Sequence, residues 1–355
     1  MMDLSTLQVA ALDDSAMAAA RARLDQLTKP PGSLGRLEAL AVKLAGITGR
    51  ARPRMARKAV IVLVGDHGVA AEGVSAYPSA VTPQMVRNFL TGGAAINVLA
   101  RRAGARVMVA DLGVAAELPS HSALIQRKIG LGTRNMAVGP AMDRAEAMEA
   151  IAAGADIFQS AFDDGVDLVA TGEMGIGNTT AASAIVAAIT GRPVQDVTGR
   201  GTGLDEEGWR RKVAVIQRAL EVNRPDPSDP IDVLSKVGGF EIAGLVGVVG
   251  QAALRRVPVV IDGFISGAAA LIATELLPRS RDYLIAAHNS VEIGHRVLLE
   301  RMELTPLLNL DLRLGEGTGA AIAMHLVDDA VAILDEMATF ADAGVSGPIE
   351  DDHTF

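Results

Sequence analysis

Apolar positions along the chain fall into two patterns that alternate after residue 57. The first is a short continuous run, as in KAVIVLV at 58–64, where β-branched residues follow one another without a polar break. Such a run predicts a strand buried on both faces. Runs at 106–111, 168–171, 257–261 and 283–287 predict further strands. The second pattern is apolar residues at three- and four-residue spacing. It predicts helices over 83–103, 143–163, 178–190, 205–222, 240–255, 267–276 and 290–301. Strands and helices taking turns imply an α/β fold with a parallel sheet wrapped by helices.

Both chain ends depart from this rhythm. Residues 15–27 and 34–47 read as helices without a strand partner, separated by the helix-stopping Lys29-Pro30-Pro31-Gly32. After Pro306 come an apolar segment at 307–314, a glycine-rich loop and a long helical stretch over 318–342. The tail from Gly344 is expected to be poorly ordered. The Pro-rich stretch 223–230 (NRPDPSDP) reads as a connector too short to separate domains, and no internal repeat stands out.

Composition narrows the function. The 355 residues suit one large domain with a smaller annex, and 49% hydrophobic residues exclude a disordered chain. Aromatics number only 1 Trp, 2 Tyr and 7 Phe, too few for stacking platforms on single-stranded nucleic acid. A net charge of −9 repels nucleic acid and anionic membranes, although glycine loops and local cations can still hold a small anion. With no cysteine there is no disulfide, thiolate metal site or Cys nucleophile. The first 27 residues lack the apolar core of a signal peptide. The apolar stretch 257–277 contains Asp262 and Glu275, and reads as a strand entering a buried helix rather than a membrane span. A cytoplasmic protein that handles small molecules is expected.

In parallel sheets, ligands sit at the carboxyl ends of the strands, so the residues after each predicted strand carry the chemistry. ATGEMGIGNTT at 170–180 offers Gly172, Gly175 and Gly177, then Asn178, Thr179 and Thr180 at a helix start. Free N–H groups and the positive end of a helix dipole make a place for phosphate. The glycine spacing matches neither a Walker loop nor a dinucleotide fingerprint. A second loop, TGRGTG at 198–203, leads to Arg200, Arg210, Arg211 and Lys212 as counter-charges, at least two of which read as a solvated helix face. Asp262-Gly263 follows one strand as a candidate ribose acceptor, and His288-Asn289-Ser290 follows another, with Ser290 equally readable as an N-cap. Asp66 and His67 follow the first strand, but the histidines form no ligand-spaced cluster, and no metal site is read. LGEGTG at 314–319 sets Glu316 among apolar residues and backbone, where a carboxylate's proton affinity rises and it can act as a base.

Six segments taken together, KPPGSLGRLE (29–38), VGDHGV (64–69), TGEMGIGNTT (171–180), IDGFISGAAAL (261–271), AAHNSVEIGH (286–295) and LGEGTGAA (314–321), resemble the nicotinate-nucleotide–dimethylbenzimidazole phosphoribosyltransferase family in its own order. The resemblance implies a Rossmann-like parallel sheet flanked by helices, with a small helical domain built from both chain ends. The division would be 55–305 against 1–54 with 306–355. It implies transfer of a 5-phosphoribosyl group from nicotinate mononucleotide to 5,6-dimethylbenzimidazole in cobalamin assembly, without a cofactor, by a homodimer. By the same resemblance Glu316 is the base and Glu173 its helper. Gly175, Gly177, Asn178, Thr179 and Lys212 would hold the phosphate, with Asp262, Gly263 and Ser290 on the ribose side. Tyr77, Ser79, Gln84, Met85 and Leu314 would form the base pocket. The residues alone leave open a related transferase with a phenol or adenine acceptor, and a nucleotide sensor in which Glu316 is structural. A nicotinamide-dinucleotide dehydrogenase is disfavoured by the missing fingerprint.

Overall fold

The computed structural model describes residues 8–346. Six strands form one sheet, β1 (Lys58–Gly65), β2 (Ala105–Gly113), β3 (Leu124–Gln126), β4 (Leu168–Met174), β5 (Val259–Ile261) and β6 (Leu284–Ala286). Their order is β3-β2-β1-β4-β5-β6, and every pairing is parallel. All carboxyl ends therefore open on one edge, and the order reverses direction between β1 and β4, the crevice that favours ligands in such sheets. Every residue of β1 is buried, as its unbroken apolar run predicts.

The helices are α1 (Asp14–Gln26), α2 (Arg36–Thr48), α3 (Val81–Thr91), α4 (Ala95–Arg102), α5 (Arg144–Asp163), α6 (Asn178–Thr190), α7 (Val194–Val197), α8 (Glu206–Asn223), α9 (Pro230–Val237), α10 (Phe240–Leu254), α11 (Phe264–Leu276), α12 (Ile293–Arg301), α13 (Thr318–Glu336) and α14 (Phe340–Ala343). None is long and apolar enough to cross a membrane among the described residues. The stretch 257–277 is indeed a strand, β5, running into the buried α11. Helix α10 is apolar all round because it is covered all round. At its crossing with α5, a Cβ on Gly154 would strike the Gly244 carbonyl, so the two backbones pack with no side chain between them.

Several elements differ from the sequence reading. The helix read over 83–103 is two, because Gly92 adopts φ +80° and its N–H closes α3 onto Asn88 and Phe89. The predicted connector at 223–230 gives way at Pro230 to α9, which the Pro at its first position and the Asp229 side-chain cap start. Strand β3 was missed because three residues, LIQ, carry too little pattern to show. The helix read from 290 begins at Ile293. The disorder expected beyond Gly344 lies, from residue 347 onward, outside the described residues.

Two compact units divide the chain. Among the described residues, one joins Ala56–Met324 to residues 8–10, and the other joins Ala11–Met55 to residues 325–346. Residues 306–324 thus stay with the sheet unit, and the division falls inside α13 instead of near Pro306. In the smaller unit, Arg23 donates through Nε to the Leu334 carbonyl at 2.5 Å and through Nη2 to those of Asp335 and Met337 at 3.1 Å, closing the last turn of α13. Opposite chain ends are joined there by one guanidinium.

Candidate functional site

Strand β4 delivers Glu173 to the carboxyl edge, and the chain turns through Gly175-Ile176-Gly177 into α6. The glycines here answer to protein neighbours. A Cβ on Gly172 would strike the Glu316 carbonyl, one on Gly175 the Gly65 carbonyl, and one on Gly177 (φ +98°) would lie 3.0 Å from the His67 Cβ. Backbone therefore passes directly over backbone at this loop, and the N-terminal turn of α6 is left bare. Under it, the Thr82 hydroxyl accepts from the Ile176 N–H at 3.2 Å and donates to Asp66 at 2.6 Å. Asp66 also accepts from the Ala115 N–H at 2.9 Å, so one carboxylate ties together the loops after β1, β2 and β4. The buried His67–Glu241 pair, 2.6 Å apart, lies beneath the same loop.

At the start of α6, Asn178 donates its amide to Glu173. Lys212, fully buried on α8, donates to the Thr179 hydroxyl at 2.8 Å. Burial pulls the Lys212 ammonium down to about 8, with the charge of Glu292 opposing that shift. The other basic residues of the second loop are exposed and paired with Glu206 or Glu207, the solvated face anticipated for them. Lys212 alone is directed inward.

The Glu316 loop is built differently. Gly315, Glu316 and Gly317 take φ of +85°, +63° and +92°, three successive left-handed residues of which one is not glycine. That conformation costs a non-glycine residue about 1–2 kcal/mol. Asp262, at the end of β5, holds the turn in place. Its two oxygens accept from the Gly317 N–H at 3.2 Å and the Ala320 N–H at 2.9 Å, capping α13. Burial nevertheless lifts the Asp262 carboxyl to about 7. Glu316 itself is 5% exposed, and one of its oxygens accepts from the Ile96 N–H in the first turn of α4 at 3.3 Å. Burial raises its proton affinity and the charge of Asp262 adds to the rise, while the Ile96 bond opposes it. Glu173 is held well above the usual carboxylate range, first by burial, then by the charges of Glu241, Asp262 and Glu316. The sequence reading of a raised Glu316 thus has a physical cause in the structure.

A cavity of about 270 Å³ opens on the carboxyl edge. Of the residues singled out from the sequence, Tyr77, Glu173, Gly175, Asn178, Thr179, Gly263, Ser290 and Leu314 line it. Gly177, Lys212, Asp262 and Glu316 stand behind that wall. For Asp262 this departs from the expected ribose contact, because its oxygens face the N-terminus of α13. Ser79 and Gln84 are exposed and Met85 half-buried on or before α3, and none of the three lines the cavity. Ser290 is not the N-cap of α12, which is Glu292, and its hydroxyl accepts from the Glu292 N–H at 3.4 Å.

Among the wall residues that sequence reasoning passed over are Glu292, Arg313 and Phe264. Glu292 is buried and packs against Gly199, beside Lys212 in charge if not in sequence. Its position two residues after Ser290, in the segment AAHNSVEIGH, was the available signal. The Ile96 N–H had none, since any residue but proline supplies one.

A helix N-terminus without a side-chain cap, an inward lysine and clustered buried carboxylates meet at the switch of the parallel sheet and make this edge the candidate active site. Residues 9–345 match the family model described as Phosphoribosyltransferase, and the chain is an enzyme of that class. It is 64% identical over 343 residues to a nicotinate-nucleotide–dimethylbenzimidazole phosphoribosyltransferase of Roseiflexus sp. (strain RS-1), covering 97% of each chain. It is 58% identical over 334 residues to the enzyme of that name from Geobacter metallireducens, covering 94% of this chain and 95% of the relative. The crystal structure of that enzyme from Thermus thermophilus superposes with a TM-score of 0.90 at 50% identity, over 95% of this chain and all of the other. The chain belongs to the nicotinate-nucleotide–dimethylbenzimidazole phosphoribosyltransferase family.

Proposed function

We propose that this enzyme transfers the 5-phosphoribosyl group of nicotinate mononucleotide to 5,6-dimethylbenzimidazole, giving α-ribazole 5′-phosphate and nicotinate for the lower ligand of cobalamin. The observation that carries the mechanism is Glu316: a buried carboxylate with raised proton affinity, held behind the cavity wall in a left-handed turn whose neighbours Leu314 and Gly315 line the cavity.

The chemistry asks little else of the protein. A benzimidazole nitrogen attacks the anomeric carbon as the bond to the pyridinium nitrogen breaks, and the bonding pair leaves with nicotinate. The leaving group's positive charge is neutralised by its own departure, so it needs no acid. The attacking base must shed its N–H proton, which Glu316 accepts. One displacement on the face opposite the leaving group turns a β-linkage into an α-linkage. Glu173, adjoining Gly315 and sharing the same electrostatic field, assists by steadying the positive charge that builds on the ribose.

The phosphate is placed at the bare N-terminus of α6, among Gly175, Gly177, Asn178 and Thr179, with Lys212 as counter-charge through Thr179. Gly263 and Ser290 face the ribose, and Asp262 supports them from behind the wall. Tyr77 and Leu314 are the lining residues proposed for the acceptor base, with Ser79, Gln84 and Met85 on the neighbouring segment. The same reading includes a homodimer in the cytoplasm.

The test is nicotinate release with a panel of acceptor bases, run on the parent enzyme and on Glu316→Gln. Turnover with dimethylbenzimidazole should fall by about 10²–10⁴-fold in the variant, the range of a lost general base, with nicotinate mononucleotide binding retained. Rates near those of the parent would sink the assignment. Preference for a phenol or adenine would redirect it to a related transferase.

A further inference from the structure

Glu316 is held from two sides, and one of them has no part in the mechanism so far. Asp262 fixes the backbone of its loop, whereas the carboxylate itself touches the first turn of α4. That turn is shaped by Asn97. The Asn97 side-chain oxygen accepts from the Ala94 N–H at 3.1 Å, and its amide donates to the Phe89 carbonyl at 3.0 Å. Both ends of the side chain are thus spent on the bend between α3 and α4. The bend needs such a clamp because Gly92 and Gly93 separate the two helices and supply no side chain of their own. Asn97 is 8% exposed and Ile96 fully buried, so both are packed within the protein.

We propose that Asn97 is the positioning residue for Glu316. By clamping the α3–α4 bend it aims the Ile96 N–H at one carboxylate oxygen, leaving the other to take the proton of the acceptor base. The proposal rests on the reading of Glu316 as the base. The ionisable groups that face Glu316 are Asp262, from the end of β5, and Glu173, from β4, both acidic. The first turn of α4 (Ala95, Ile96, Asn97, Val98) and the last turn of α3 (Asn88, Phe89, Leu90, Thr91) contribute no charge. The backbone N–H of α4 is therefore the one favourable partner that these elements give the carboxylate against two like charges. A helix N-terminus stabilises an anion most strongly when its donors are aimed at it, which is the work assigned to Asn97.

The experiment is the pH profile of kcat for Asn97→Ala, which removes both bonds, and Asn97→Asp, which keeps the bond from Ala94 but sets a carboxylate against the Phe89 carbonyl. Loss of the Ile96 contact favours the protonated form of Glu316, so the acid limb of kcat should move to higher pH. A movement of one unit lowers kcat about tenfold below the limb and leaves it within a few-fold of the parent above it. Asn97→Asp should show the larger movement, and KM for nicotinate mononucleotide should stay within about twofold of the parent. Thermal melts establish that each variant is folded at the assay temperature. If Asn97→Ala does not fold, Asn97→Ser decides the matter: it loses the reach to the Phe89 carbonyl but adds no charge beside Glu316, whereas the added carboxylate of Asn97→Asp shifts the limb by itself. A folded variant whose kcat drops equally at every pH, or does not drop, overturns the proposal. Glu316→Gln is run alongside. If it retains full turnover, the base assignment itself fails; if it is inactive while the Asn97 profiles are unshifted, only the positioning role fails.

Discussion

Two loops of this enzyme look alike in sequence and do opposite things. GEMGIGNTT, before α6, and GEGTG, before α13, each place a glutamate among glycines ahead of a helix N-terminus. Ahead of α6 the end is bare: Asn178 and Thr179 face the cavity, and Lys212 supplies a cation behind them. Ahead of α13 the end is already occupied, because the Asp262 carboxylate accepts from Gly317 and Ala320. The first helix end can receive an anion from outside. The second has an internal anion and uses it to hold Glu316 in place. A glycine-rich loop at a helix start is therefore not a phosphate site until it is known that no side chain has filled it.

The largest effect that tests this contrast follows from emptying the filled end. Asp262→Ala removes the acceptor from at least two buried N–H groups, at about 1–3 kcal/mol for each buried donor left unpaired. The three left-handed residues of the Glu316 loop then lose their brace. Stability should fall by about 2–4 kcal/mol in denaturant titrations, and kcat should fall by at least tenfold while KM for nicotinate mononucleotide moves little. A kcat within twofold of the parent would show that the loop keeps its shape unaided.

The bare end is tested by Gly177→Ala. At φ +98° and 3.0 Å from the His67 Cβ, the new methyl is both strained and crowded, so the loop must shift to admit it. Affinity for nicotinate mononucleotide should drop about tenfold, equivalent to about 1.4 kcal/mol, as read by KM or calorimetry, with kcat at saturation less affected. An unchanged affinity would mean that the phosphate does not rest on this turn. The two variants should therefore divide kcat from KM in opposite senses.

How much of this was legible in the sequence depends on which atoms do the work. Strand β1 was readable because six apolar residues in a row, 59–64, have one low-energy fate, burial on both faces. The glutamates and the α6 loop stand out as candidates because what marks them lies in side chains, or in glycines whose spacing is visible. Asp262 is legible as a strand-tip carboxylate, but its role as the brace of the Glu316 loop is not. Its partners are backbone N–H groups some 55 residues away in sequence, and they leave no trace in residue identity. Ile96 was invisible for the same reason, and the split of 83–103 into two helices was masked by apolar spacing that continues across Gly92-Gly93. Side-chain chemistry reads forward from sequence; backbone chemistry waits for the fold.

The smallest effect expected concerns the cation behind the bare end, and it appears only as pH changes. Lys212 has its ammonium lowered to about 8 by burial, so in the free enzyme it is charged below that pH and loses its charge above it. A phosphate monoester is already close to doubly charged at pH 7 and stays so, which leaves Lys212 as the group that changes. The kcat/KM for nicotinate mononucleotide reports the free enzyme and should therefore decline above about pH 8, approaching a tenfold fall per unit if the charge is essential. The kcat at saturation should decline less, because a bound phosphate keeps the ammonium protonated to higher pH. Lys212→Met should start from a lower kcat/KM and show no such limb. A parent profile flat to pH 9 would transfer the counter-charge to another residue, with Arg313 on the cavity wall the next to test.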